Sequence, residues 1–165
     1  VEEAKRVFTE ASTALGINEG PCKGDLILTS EGVKVLEITS RTSPGFAAES
    51  QPLASGIKIL EVLILWAIDA QFSEDLLKPK WNKAIAHRYY QHSPGKIISI
   101  NGLDTLHERP GVEVVLILKD IAKGEVLEPM NYMNRLFYIT TVADTPYEAI
   151  KLAESALLSV KIKTI

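Results

Sequence analysis

Two runs rich in Leu, Ile and Val flank Ser30-Glu31-Gly32. One run is Gly24-Asp25-Leu26-Ile27-Leu28-Thr29 and the other Val33-Lys34-Val35-Leu36-Glu37-Ile38-Thr39. Short runs rich in β-branched residues around a glycine-containing turn predict a β-hairpin. A three-residue loop closed by Gly32 sets the expected register: Thr29 opposite Val33, Ile27 opposite Val35, Asp25 opposite Glu37. Side chains alternate along a strand, so Asp25, Ile27 and Thr29 are expected to share a face with Val35, Glu37 and Thr39. Directly opposed residues place their Cβ atoms about 4.5–5.5 Å apart, where like charges are unfavourable. Two readings follow for Asp25 and Glu37. They are the solvated acids of an exposed hairpin, or they hold a divalent cation between them.

The remaining pattern fills in the chain around this hairpin. Ala4, Val7, Phe8, Ala11, Ala14 and Leu15 make a helical stripe over residues 2–15, with Gly16 placed to end it. Residues 55–72 are apolar almost all round, with Lys58, Glu61 and Asp69 as one polar strip. They predict one central, covered helix with Ser55 as its N-cap. Strands are expected at 84–92, 96–101, 113–119 and 136–143, separated by Pro94-Gly95, Asn101-Gly102, Pro110-Gly111 and Lys123-Gly124. Trp81 is expected over an edge of the core, and Met130, Tyr132 and Met133 as cover for it. Thr145, Pro146 and Glu148 mark the start of a last helix with Ala149, Ile150, Ala153, Ala156, Leu157 and Val160 inward. The order helix, hairpin, helix, strands, helix predicts an α+β fold, an antiparallel sheet with packed helices. Residues 1–165 read as a single domain: a helix–hairpin–helix over 1–72, then an antiparallel meander and closing helix over 84–165.

Composition narrows the classes. At 165 residues the chain can bury roughly two-thirds of its unfolded surface. A net charge of −3 with no Lys/Arg cluster speaks against a nucleic-acid module. The lone Cys22 excludes an intramolecular disulfide and suits a reducing compartment; with no adjacent base it reads as an inert thiol. His87, His92 and His107 lack metal-ligand spacing. The apolar run from Ile57 to Ile68 is too short to span a bilayer and contains Glu61, and no signal peptide is expected, as the sequence opens on a helical pattern. The expectation is a cytoplasmic chain without nucleic-acid or membrane partners. Thr42-Ser43-Pro44-Gly45-Phe46 reads as a loop past the acid face, open to substrate or simply a connection. No glycine-rich phosphate cradle of the G-x-x-x-x-G-K-[ST] or G-x-G-x-x-G type occurs.

Glu37-Ile38-Thr39-Ser40-Arg41, preceded by an acidic strand and a glycine turn, resembles the Glu-x-Asn-x-Arg segment of ATP-grasp ligases. These include carboxylate–amine ligases, biotin carboxylases and carbamoyl-phosphate synthases. The helix ending in Ala14-Leu15-Gly16-Ile17, the Pro110-Gly111-Val112 segment and the closing Thr145-Pro146-x-Glu148-Ala149 are similar to the same chains. The resemblance implies the C-terminal half of an ATP-grasp fold, cut from a longer polypeptide whose N-terminal part completes the nucleotide site. It implies Asp25, Glu37 and Thr39 as ligands of Mg²⁺ (or Mn²⁺) and ATP, and Arg41 as the catalytic contact to phosphate or to a carboxylate substrate. Thr39 stands where the family carries Asn.

The function so implied is that of an ATP-dependent ligase, activating a small carboxylate as an acyl phosphate for attack by an amine or another nucleophile. The isolated chain is expected to be inactive. The alternative is a non-catalytic binding or interaction module that keeps the fold. Oligomeric state, homo-oligomer included, stays open.

Overall fold

The computed structural model describes residues 1–43 and 47–165. The chain divides into two compact units, Val1–Pro52 with Gly56–Lys80, and Leu53–Ser55 with Trp81–Ile165. The expected α+β architecture, helices with antiparallel sheets, is what is found.

The first unit begins with α1 (Glu2–Ala14), followed by the hairpin strands β1 (Lys23–Thr29) and β2 (Gly32–Thr39). Its register differs from the expected one near the turn. Only Ser30 and Glu31 lie between the strands, and Thr29 pairs with Gly32, Leu28 with Val33, Ile27 with Lys34 and Leu26 with Val35. Thr29 fastens this tight turn: its hydroxyl donates to the Gly32 carbonyl at 2.8 Å and accepts from the Glu31 N–H at 3.1 Å. Gly32 takes a φ of 102°, which an L side chain rarely adopts. A bulge between Asp25 and Leu26 then shifts the register by one, leaving Leu36 unpaired, so that Asp25 faces Glu37 and Lys23 faces Thr39. Val35 therefore lies on the face opposite the acids, not beside them. That opposite face, with Gly24, Leu26 and Ile38, packs on α1; a Cβ on Gly24 would stand 2.6 Å from the Phe8 ring.

The single long helix expected over 55–72 is two. The first is α2 (Ala47–Ser55), whose residues Ala47 to Pro52 the sequence suggested as a continuation of the loop after Phe46, and Ser55 is its last residue rather than the N-cap of the next helix. Gly56, in the left-handed region at φ 76°, stops it. The second, α3 (Ile59–Ala67), runs only nine residues, and Asp69 leaves it at φ 54°. It is not a central core helix. Val62 alone is buried, whereas Leu60, Ile64, Trp66 and Ile68 are exposed. The expected Pro44, Gly45 and Phe46 of the loop past the acid face lie outside the described residues.

The second unit holds β3 (Ala84–Tyr89), β4 (Gly95–Asn101), β5 (Val112–Ile117), the two-residue β6 (Val126–Leu127), β7 (Phe137–Ala143), α4 (Pro146–Leu158) and β8 (Lys161–Thr164). These strands do not run as a meander. They form two sheets of order β3-β7-β5 and β6-β4-β8, so that β7 sits between partners about fifty and about twenty residues upstream in sequence. The short strand β8, a Lys-Ile-Lys alternation not among the expected strands, pairs with β4. The start of α4 is as expected: the Thr145 hydroxyl accepts from the Glu148 N–H at 3.2 Å, Pro146 opens the helix, and Ala149, Ala153 and Ala156 are buried. The core lies here, built from Ile97, Leu106, Leu136, Phe137 and Ile139 against those alanines. Trp81 donates through its indole N–H to the Leu53 carbonyl and remains half-exposed.

Tyr132 and Met133 do not cover the core; they are among the most exposed large side chains. The reason is local. The Asn134 side chain accepts from the Asn131 N–H at 2.6 Å and donates to the Pro129 carbonyl, while the Asn131 side chain accepts from the Met133 N–H. This knot turns residues 132 and 133 outward, and Arg135 stacks between the Tyr89 and Tyr132 rings. Among the described residues no helix is long and apolar enough to cross a membrane.

The position of the core gives a direct test. Phe137→Ala should cost about 3–5 kcal/mol in denaturant unfolding, as removal of a fully buried ring does. Ile64→Ala, on the exposed face of α3, should stay within about 0.5 kcal/mol. Comparable losses from the two would place the core elsewhere.

Candidate functional site

Side-chain alternation and the bulge at Leu36 together put Lys23, Asp25, Glu37 and Thr39 on one face of the hairpin. Asp25 and Glu37, the residues expected to hold a metal, face each other directly. Both carboxylates are about half-exposed, at 53% and 52%. The Thr39 hydroxyl is buried and has no hydrogen-bond partner among the described residues.

The group that meets the two acids is one the sequence reading omitted. The Lys23 ammonium donates to Asp25 Oδ2 at 2.5 Å and to Glu37 Oε1 at 3.3 Å. Its side chain is only 19% exposed, less than either acid. Its pKa is raised above the usual lysine value, chiefly by the hydrogen bond to Asp25; partial burial opposes this and Glu37 adds to it. Lys23 is thus a cation throughout the neutral range. The signal for it was present in the sequence, since Lys23 precedes Asp25 by two positions, the strand period.

Arg41 lies two residues past the end of β2, exposed, and its guanidinium donates to the Thr42 carbonyl at 2.9 Å. It is not drawn into the acid pair, and no ion pair engages it among the described residues. Beside the acid face a cleft of about 420 Å³ is lined by Gly20, Cys22, Lys23, Thr42, Ser43 and Gln51, among others. Cys22 contacts the Ser12 hydroxyl at 3.4 Å. The histidines stay apart: His87 bonds Thr140, His92 packs its Nε2 away with no partner among the described residues, and His107 is exposed. Among the described residues no group of three or more His, Cys, Asp or Glu is arranged for a metal ion.

The resemblance to ATP-grasp ligases implies Mg²⁺ at this face, and the donors fit. Two opposed carboxylates and an orphaned hydroxyl are all hard oxygens, the kind Mg²⁺ takes, and Mg²⁺ usually completes its shell with water and phosphate. One ammonium against two carboxylates also leaves a negative charge in excess.

Comparison with known proteins supports the fold. Residues 89–164 match the family described as L-amino acid ligase C-terminal domain 2. No curated protein sequence matches the chain. Among solved structures, the L-amino acid ligase from Bacillus licheniformis superposes with a TM-score of 0.74 at 18% identity, over 100% of this chain and 44% of that one. Phosphoribosylglycinamide synthetase from Anaerococcus prevotii gives 0.80 at 18% identity, over 99% and 42%. A biotin carboxylase–β,γ-ATP complex from Campylobacter jejuni gives 0.57 at 21% identity, over 93% and 34%. The chain therefore spans less than half the length of these proteins. It carries the C-terminal part of an ATP-grasp fold, and the resemblance to ATP-grasp ligases seen in its sequence is borne out.

Proposed function

We propose that this chain is the C-terminal part of an ATP-dependent ligase that activates a small carboxylate as an acyl phosphate for attack by an amine or similar nucleophile. The observation that supports this most is the register that sets Asp25 opposite Glu37 with the orphaned Thr39 hydroxyl on the same face. Mg²⁺, held by these three residues, would offset the charge on the phosphates of ATP. Such reactions depend mainly on positioning and electrostatics, so the task of these residues is to fix charge in place.

Arg41, in no ion pair among the described residues and next to the cleft residues Thr42 and Ser43, is the group to steady the reacting phosphate or carboxylate anion. The cleft would receive part of the substrate, with Thr42 and Ser43 hydroxyls at its wall. The remainder of the nucleotide site would come from an N-terminal part of the same polypeptide. The exposed apolar residues Leu60, Ile64, Trp66 and Ile68 offer a surface for such a segment.

Three outcomes test this reading. The isolated chain should not hydrolyse ATP measurably; turnover by the purified chain that disappears in Glu37→Gln would contradict the incomplete-site view. In the longest polypeptide that contains the chain, Glu37→Gln should lower kcat/KM for ATP-dependent ligation by about a hundredfold or more, in the range reported for loss of a transition-state charge contact. An unchanged rate would favour the non-catalytic module.

Metal binding can be read without activity. A ligand that binds only the folded state stabilises it by RT ln(1 + [L]/Kd), about 2.7 kcal/mol at a hundredfold excess over Kd. Without nucleotide the affinity should be weak, so millimolar Mn²⁺ should raise the melting temperature of the wild-type chain slightly and that of Asp25→Asn not at all. Identical responses at constant ionic strength would leave the carboxylates without a metal role.

A further inference from the structure

The place a divalent cation would take between Asp25 and Glu37 already holds a cation of the chain's own. Lys23 Nζ is within hydrogen-bond distance of one oxygen of each carboxylate. It is the most buried charge of the three, while both acids remain open to water. Its position follows from the ladder: it faces Thr39 and precedes Asp25 by two residues, so it cannot leave this face without a change of register. Its side chain also lines the 420 Å³ cleft. The stem therefore has a second place to put its charge.

We infer that Lys23 is an exchangeable counter-cation of the acid pair, displaced from Asp25 and Glu37 when a divalent cation binds them and turned toward the adjoining cleft. This rests on the metal reading of the acid face proposed above. Mg²⁺ binds carboxylate oxygens at about 2.0–2.1 Å in a tight octahedron. An ammonium bonded to the same two carboxylates would stand against that ion at a distance where like charges repel even with partial screening by water. Lysine suits the exchange. It is a point charge with three rotatable donors on a flexible four-carbon stem, whereas a planar guanidinium would hold both carboxylates in a fixed fork. The two states have different consequences. With Lys23 between the acids the metal-free face carries one excess negative charge. With metal there, the released ammonium adds a positive group to a cleft whose described polar wall includes Thr42, Ser43 and Gln51, and so favours an anionic substrate group.

The test uses the whole 165-residue chain and reads binding rather than turnover. Loss of the free Mn²⁺ paramagnetic resonance signal gives the affinity of wild type, Lys23→Met and Asp25→Asn. Removing the competing cation should tighten Mn²⁺ binding by up to about fivefold, the change expected for loss of one partly screened charge contact. Asp25→Asn should abolish binding. A second measurement needs no substitution and so does not depend on a variant folding. The side-chain ¹H–¹⁵N signal of the Lys23 ammonium, assigned in the unaltered chain, should shift and broaden toward a water-exchanging lysine as Mg²⁺ saturates the site. Binding by wild type with equal or weaker binding by Lys23→Met overturns the exchange and leaves the metal face intact. A Lys23 signal that stays in place at saturating Mg²⁺ overturns it as well. Absence of Mn²⁺ binding in both wild type and Lys23→Met removes the metal reading itself, and the exchange with it.

Discussion

A two-residue turn and an acid pair on one face are incompatible in a regular hairpin, and the bulge at Leu36 reconciles them. With Thr29 opposite Gly32, an unbroken ladder would place Asp25 opposite Leu36 and send Glu37 to the other face, against Gly24 and α1. One extra residue in β2 rotates everything beyond it by half a strand period. Glu37 and Thr39 are thereby brought to Asp25 and Lys23, while Ile38 turns to the α1 side with Leu26. The apolar and charged faces of this hairpin are thus set by the same residue. A change that removed the bulge would bury a carboxylate and expose an isoleucine together.

That bulge is written in the sequence. Val33, Lys34 and Val35 alternate in one phase; Leu36 breaks it, and Glu37, Ile38 and Thr39 resume in the opposite phase. Assuming a three-residue loop gives the correct partner for Asp25 and the wrong partners nearer the turn, because one residue too many in the loop mimics one residue extra in the strand. The two errors cancel at the acid end only. Lys23 is legible by the same period of two, yet a lysine near two acids reads as surface charge until the register turns it into a bridge. Thr39 was legible on the acid face by the same alternation, whereas Arg41, past the strand end, was singled out only through the family resemblance.

Elsewhere the limits are those of local information. Strands in the second unit announce themselves by β-branched runs, and α4 by its cap, because both signals are short-range. Pairing is not short-range: β7 enters between β3 and β5 because its fully buried Phe137, Ile139, Thr140 and Thr141 require a covered, central position. The apolar run around Ile64 has the composition of a core helix without its periodicity, and Gly56 and Asp69 cut it short on both sides. Hydrophobicity there marks surface left open by this chain rather than its centre.

The continuous core and the acid face consequently lie in different units. The second unit has the continuous core of buried aliphatic and aromatic side chains, with α4 laid across it. The first has, among its described residues, a two-stranded sheet braced by α1, and a two-stranded hairpin is marginal by itself. A face built on such a support can change its occupants at low cost, because few packed neighbours must move with it. If the acid face exchanges Lys23 for a metal as inferred above, what must break is two hydrogen bonds to half-exposed carboxylates, the longer of them 3.3 Å.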